Sequence, residues 1–363
     1  MRVLILSANT GGGHNSCAAA LAEQFGRMQV DCEIEDAISM ISEKTSNFIS
    51  WGHSYVYRKL PKLFGTAYRF EERHPPQRGY DYFARGAVHL QEKLLSERFD
   101  AVICVHVFAG MMMTALRCRF QNRIPSYFVA TDYTCSPGVS SLDVDAFFIP
   151  HRMLFGEFVR REIPADKLFA TGIPVRSSFF DRLEKAEARK MLGMEEARRV
   201  ILLGGGSMGC GNLNRHAPEL ASKLPSDAIL AVLCGRNEAL VEDLERFSSN
   251  TFRVVGFTDD ISLYLSAADI YLTKPGGLMT TEAIVKQLPM VLVETVPGCE
   301  TRNLNFLSEL GVGEKTRNWK QAISKTVSMV ENIGLLDRQR ERMARFHAGD
   351  PGMKICQYVL RQT

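Results

Sequence analysis

The sequence predicts an α/β protein of two doubly wound domains, and three observations carry that reading. Short apolar or β-branched runs alternate with helical patterns through both halves, as parallel strands covered by helices require. A chain of 363 residues has length for two cores at roughly 150 residues per domain. Glycine-rich turns also recur where an apolar run ends and a helical pattern begins, at residues 9–14, 204–209 and 274–282.

In the first half the apolar runs predict strands near residues 2–8, 31–35, 100–105, 126–130 and 146–149. Helical patterns fall near 14–27, 38–58, 78–98, 107–120 and 151–162. Thr171-Gly172-Ile173-Pro174-Val175-Arg176 breaks both periods and is the expected hinge. Beyond it, strands are expected near 199–204, 227–233, 252–255, 269–273 and 290–293, with helical segments between them. Helical patterns near 317–331 and 334–347 close the second half, and Pro351 opens a last segment that crosses back to the first. The expected domains are 1–171 and 172–350, with 351–363 as the returning helix.

Composition excludes several classes. A net charge of +3 gives no ground for a nucleic-acid partner. Nine cysteines, at 17, 32, 104, 118, 135, 210, 234, 299 and 356, are scattered and form no CxxC pair, which argues against a disulfide framework or a zinc site. The chain starts on a strand pattern without a secretory signal, and no stretch reaches 18 uninterrupted apolar residues. A reducing, cytoplasmic location is expected.

The turn Asn9-Thr10-Gly11-Gly12-Gly13-His14 leads from a strand into a helix, whose first N–H groups lack intrahelical partners and can hold an anion. The positive end of the helix disfavours imidazolium, so His14 is a candidate general base, with simple helix capping as the other reading. The loop through Gly204, Gly206 and Gly209 formally reads GxGxxG. A dinucleotide site also wants an acid at the end of the next strand, and that strand ends Leu233-Cys234-Gly235-Arg236-Asn237. The first half does offer Glu35 and Asp36 at about that distance, but has Ser16 where the third glycine or alanine belongs.

The third turn, Thr273 through Glu282, repeats the arrangement. Gly276, Gly277 and the hydroxyls of Thr280 and Thr281 are candidates to receive a diphosphate, and Glu282 offers acceptors for ribose hydroxyls. Glu300 and Asn303, three apart at a helix start, share a face that suits sugar hydroxyls. All these loops fall at the carboxyl ends of parallel strands, where open α/β sheets bind ligands.

These residues resemble the glycosyltransferases of the monogalactosyldiacylglycerol synthase and bacterial processive diacylglycerol glucosyltransferase group. The resemblance is carried by Gly11-Gly12-Gly13-His14, Ala130-Thr131-Asp132, Val144-Asp145, the Thr171 hinge, Cys234-Gly235-Arg236-Asn237 and the segments 274–282 and 297–303. It implies the GT-B fold: two Rossmann-like doubly wound domains facing across a cleft, with the acceptor site in the first and a UDP-sugar site in the second. It further implies transfer of glucose or galactose from a UDP-sugar to a lipid hydroxyl, with inversion. His14 would be the base, Gly206 and Ser207 would lie near phosphate, Glu282 on ribose, and Glu300 and Asn303 on the sugar. Lys274 and Arg236 would add positive charge near UDP, and Gly13 and Phe257 join the nucleotide-binding set. No bound metal is obligatory, since helix N-termini and cations can stabilise the leaving diphosphate. Asp143-Val144-Asp145 looks like a metal-binding DxD but reads as a strand entry.

On the acceptor side Asp132 either orients His14 or serves a turn, and His106 is equally open. Relatives would carry a histidine where this chain has Ser136. Residues 45–73 interleave Phe48, Ile49, Trp51, Tyr55, Leu60, Leu63, Phe64, Tyr68 and Phe70 with Arg58, Lys59, Lys62, Arg69 and Arg73, a pattern suited to an anionic membrane surface. The expected protein is a peripheral enzyme on the inner face of the cell membrane, making a β-glycolipid from a UDP-sugar and diacylglycerol or another lipid acceptor. The alternatives are N-acetylglucosaminyl transfer to a polyprenyl-linked cell-wall precursor and a soluble UDP-sugar 2-epimerase.

Overall fold

The computed structural model describes residues 1–73, 81–194, 199–346 and 349–363; the side chains of Ser50, His53, Ser54, Tyr57, Arg58, Lys59, Arg73 and Ile333 are outside the description. The predicted helix start near 78 and the basic groups of Arg58, Lys59 and Arg73 therefore lie outside the described residues. The described chain divides into two compact units, 1–177 with 349–363, and 178–348. The segment carrying Thr171 to Arg176 thus belongs with the first unit.

The first unit is a six-stranded sheet ordered β2-β1-β3-β4-β5-β6, with every neighbouring pair parallel. Its strands are β1 Arg2–Ser7, β2 Asp31–Asp36, β3 Ala101–Cys104, β4 Ser126–Val129, β5 Ala146–Ile149 and β6 Leu168–Ala170. The inner strands β3, β4 and β5 are buried throughout, as apolar parallel strands covered on both faces must be. The edge strand β2, Asp-Cys-Glu-Ile-Glu-Asp, is charged, which blunts an edge that another chain would otherwise extend. Lys93 Nζ meets Glu33, Glu35 and Glu97 at 2.6, 3.1 and 2.9 Å there.

The second unit repeats the plan in the order β12-β11-β10-β7-β8-β9, again parallel throughout. Its strands are β7 Arg199–Gly204, β8 Ala228–Leu233, β9 Phe252–Val255, β10 Ile270–Thr273, β11 Met290–Val293 and β12 Glu314–Thr316. A core through Ile201, Leu203, Leu230, Val232, Leu272 and Val291 joins the sheet to its helices. Asp269 fastens the Lys185–Met191 helix to it, accepting from Arg189 at 2.6 Å, Lys185 at 2.7 Å and the Val200 N–H at 2.9 Å.

In each unit the strand order reverses beside the first strand: β1 lies between β2 and β3, and β7 between β8 and β10. At such a reversal the connections leave in opposite directions and open a crevice at the strands' carboxyl ends. The loops after β1, β3, β7 and β10 border these crevices.

Several local features differ from the sequence expectation, among them a helix over Pro61–Arg73 where none was expected. The short edge strands β6 and β12 were not foreseen. The helix expected from residue 38 is Glu43–Lys59, because 37–42 form turns pinned by Asp36, which accepts from the Ile38 N–H at 3.1 Å. The segment expected as one helix over 151–162 is a 3-10 turn, Arg152–Leu154, followed by Phe155–Arg160.

Candidate active site

In the first unit the glycine turn leads into the helix Gly12–Arg27, so His14 sits in its first turn. Its Nδ1 lies 3.0 Å from the Val105 carbonyl, just beyond β3, and 3.1 Å from Thr131 Oγ1, just beyond β4. A carbonyl oxygen only accepts, so Nδ1 carries the proton and Nε2 keeps the lone pair. Burial pushes the His14 pKa below the ordinary histidine value, against the opposing charge of Asp132 and the Val105 hydrogen bond. The ring is therefore neutral and basic at Nε2 near neutral pH.

The turn itself is held from several sides. Asn15 Nδ2 donates to Asn9 Oδ1 at 2.7 Å, Ser7 Oγ donates to Asn15 Oδ1 at 2.6 Å, and Asn9 Nδ2 donates to Asp36 Oδ2 at 3.2 Å. Asp36 also accepts from Ser46 Oγ in the Glu43–Lys59 helix. Asp36 is thus engaged in holding the turn, and Glu35 is paired to Lys93. Thr134 Oγ1 and the Cys135 N–H both donate to Glu157 Oε1, at 2.6 and 2.9 Å, and steady the loop that carries Asp132.

In the second unit two loops interlock at the carboxyl ends of β7 and β8. Gly206, Gly209 and Gly235 have φ of 75°, 59° and 59°. The Arg236 N–H donates to Ser207 O at 2.9 Å, and a Cβ on Gly235 would lie 2.5 Å from that same oxygen. Arg236 is exposed and its guanidinium lies 4.5 Å from the Phe257 ring centroid, a cation–π pair at the rim. Beyond β10, Lys274 Nζ meets Glu300 Oε1 at 2.8 Å, both side chains being largely buried. Burial, the largest influence, lowers the Lys274 pKa, but the charge and hydrogen bond of Glu300 with the Cys210 and Cys299 thiols together leave it raised, so the ammonium stays charged. Glu300 Oε2 accepts from the Thr295 and Val296 N–H groups at 3.3 and 3.1 Å, and Asn303 Nδ2 donates to Pro275 O at 3.0 Å.

Comparison with known proteins gives the family. Residues 14–175 match the monogalactosyldiacylglycerol (MGDG) synthase model, and residues 200–342 match the glycosyltransferase family 28 C-terminal domain. The two halves of the chain thus carry glycosyltransferase domains. It is similar over its full length to the processive diacylglycerol beta-glucosyltransferases of Bacillus subtilis (strain 168), 24% identical over 95% of that protein, and Bacillus cereus (strain B4264), 27% over 94%. Among solved structures it resembles Acinetobacter baumannii MurG, with a TM-score of 0.65 at 15% identity over 99% of both chains. It resembles equally the UDP-GlcNAc 2-epimerase of Neisseria meningitidis bound to UDP-GlcNAc, with a TM-score of 0.64 at 13% identity over 100% of both chains. The fold is the GT-B fold.

In this glycosyltransferase His14 and Asp132 are near enough for the Asp132 charge to act on the ring. Gly13 lies in the same helical turn as His14. Gly206 and Ser207 form the turn after β7, Gly276 and Gly277 lie at the start of the helix Gly277–Val285, and Glu282 lies in its second turn. One expected role is corrected. The hydroxyls of Thr280 and Thr281 are buried and donate within their own helix, to Gly276 O and Gly277 O, each at 2.7 Å. The donors this turn can offer an anion are the first-turn backbone N–H groups instead. Asp143 and Asp145 pair with Arg117, and Asp145 accepts from the Ser126 N–H at 2.7 Å, so this acidic pair does serve the entry to β5. Sequence reasoning missed the Val105 carbonyl and Thr131 Oγ1 as partners of His14. Only the adjacency of β1, β3 and β4 would have pointed to them.

Proposed function

We propose that this glycosyltransferase moves a hexose, glucose or galactose, from a UDP-sugar to diacylglycerol with inversion at the anomeric carbon. The observation that carries the reading is the locked tautomer of His14, which leaves Nε2 able to take a proton. The acceptor oxygen bonds to the anomeric carbon while the bond from that carbon to the diphosphate breaks. The electron pair leaves with UDP, and the hydroxyl proton passes to His14 Nε2. Gly206, Ser207 and the helix start at Gly276 and Gly277 receive the diphosphate, Lys274 and Arg236 add positive charge near UDP, Glu282 holds ribose, and Glu300 and Asn303 border the sugar.

The names of the full-length relatives support diacylglycerol as acceptor, and UDP or UDP-GlcNAc bound to structural neighbours supports a UDP-sugar donor. The reading needs no metal, because backbone N–H groups, helix N-termini and Arg236 meet the developing charge. Turnover is therefore expected to persist in EDTA.

The protein acts from the surface of an anionic membrane. Phe48, Trp51 and Phe70 are 70%, 64% and 61% exposed on the helices Glu43–Lys59 and Pro61–Arg73, and such aromatic side chains suit the headgroup boundary. No helix among the described residues is long and apolar enough to cross a membrane. Cosedimentation with phosphatidylglycerol vesicles should fall sharply in a Phe48→Ser/Trp51→Ser variant.

The deciding experiment incubates labelled UDP-glucose and UDP-galactose with diacylglycerol vesicles. Label in glycolipid, lost in His14→Ala, is the expected result. Label only in free sugar, or in an epimerised nucleotide sugar, would sink the transferase reading and favour the epimerase alternative.

A further inference from the structure

We infer that His106 is a positioning residue for the base, clamping the glycine turn so that the His14 ring keeps one orientation. The inference rests on the reading of His14 as the base.

His106 follows Val105, whose carbonyl holds His14 Nδ1, and caps the helix Val107–Phe120 by accepting the Phe108 N–H on its own Nδ1 at 3.1 Å. That bond uses the Nδ1 lone pair, so the neutral ring has its proton on Nε2, opposite to His14. His106 Nε2 lies 3.2 Å from Thr10 Oγ1, in the turn that carries His14. The two imidazoles meet edge to face, with centroids 4.5 Å apart and planes at 79°. On its other side His106 meets Phe108 at 4.5 Å, and Phe108 stacks on Phe83 at 3.6 Å.

The end of β3 therefore grips the turn after β1 twice: Val105 O holds the His14 ring, and His106 Nε2 holds Thr10. The contacts to Val105 O and Thr131 Oγ1 both meet the ring at Nδ1, so they would still let the imidazole tilt about that one atom. The His106 ring, packed edge to face with it, removes that freedom. Proton transfer depends on a near-attack geometry, and a displacement of about 1 Å can cost about 100-fold in rate.

The alternative is that His106 only caps its helix, and the test separates the two roles. His106→Asn keeps a preferred N-cap but removes the ring and the reach to Thr10. Thr10→Val removes the same bond from the other side at nearly constant shape. With UDP-sugar and diacylglycerol vesicles, each variant is expected to lower kcat about 10- to 100-fold with KM for the nucleotide sugar within about twofold. The double variant should be little worse than the more impaired single one, since both break one clamp. Wild-type kcat in His106→Asn, or losses that simply multiply, would overturn the inference. If His106→Asn does not fold, Thr10→Val alone decides on the same criterion. His14→Ala is measured alongside: full activity there removes the base reading itself, whereas an inactive His14→Ala beside a fully active His106→Asn removes only the clamp.

Discussion

His14 owes its chemistry to groups far away in sequence. Its position at a helix start was legible, because a glycine turn between an apolar run and a helical pattern is a local signal. Its tautomer was not, because it depends on a backbone carbonyl at residue 105 and a hydroxyl at residue 131, which strand order alone brings close. The placement of Glu300 and Asn303 was likewise half legible: their shared face was readable, but their burial and bonds to Lys274 and Pro275 O were not. A pH prediction follows from the balance on His14. Burial lowers its pKa and Asp132 raises it, with burial prevailing. A base works when neutral, so activity should persist below the usual histidine range and fall only as pH drops through the lowered value. Asp132→Asn removes a raising influence, so the acid limb of kcat/KM should move to still lower pH. A limb that stays put or moves upward would show that the Asp132 charge does not govern the base.

Loops made by two elements at once are the next scale. The turns after β7 and β8 lock together because Gly235 approaches Ser207 more closely than any side chain allows. Gly235→Ala would set a methyl 2.5 Å from a backbone oxygen, in a left-handed residue with φ of 59°. The backbone strain alone costs about 1–2 kcal/mol, and the contact must also push Ser207 out of place. UDP affinity, measured by calorimetry, is expected to fall at least about 10-fold, the equivalent of about 1.4 kcal/mol. Gly193→Ala is the control, because its φ is 64° but nothing lies within 4 Å of the added Cβ. It should lose about the same strain energy in stability while leaving UDP affinity unchanged. Equal affinity losses in both variants would point to general destabilisation. The long inner strands were readable from apolar runs, whereas β6 and β12, Leu-Phe-Ala and Glu-Lys-Thr, are too short to carry a period and exist because a neighbouring strand offers hydrogen bonds.

For the whole molecule, the two-domain plan was written in the repeated strand and helix pattern, and Pro351 marked the start of the returning segment. What the pattern did not reveal is how much the first unit depends on that segment. The helix Pro351–Gln362 packs on Gly12–Arg27, which carries His14, and buries Ile355, Cys356 and Val359. Tyr358 lies among Tyr127, Phe148 and Phe169, with ring centroids 6.0, 5.3 and 4.5 Å away, over the β4-β5-β6 side of the sheet. Gln24 Nε2 donates to Asp350 Oδ2 at 2.6 Å, and Asp350 caps the helix through the Gly352 and Met353 N–H groups. Each large apolar side chain returned to water costs about 1.5–3 kcal/mol, so losing this helix removes several kcal/mol from a unit whose total is about 5–15 kcal/mol. Deleting residues 349–363 should lower the melting transition of the first unit by about 10 °C or more, or prevent its folding, while the 178–348 transition survives in calorimetry. The deletion removes none of the nucleotide-binding candidates, so UDP binding should outlast turnover. Loss of both together would mean that the second unit also needs the returning helix.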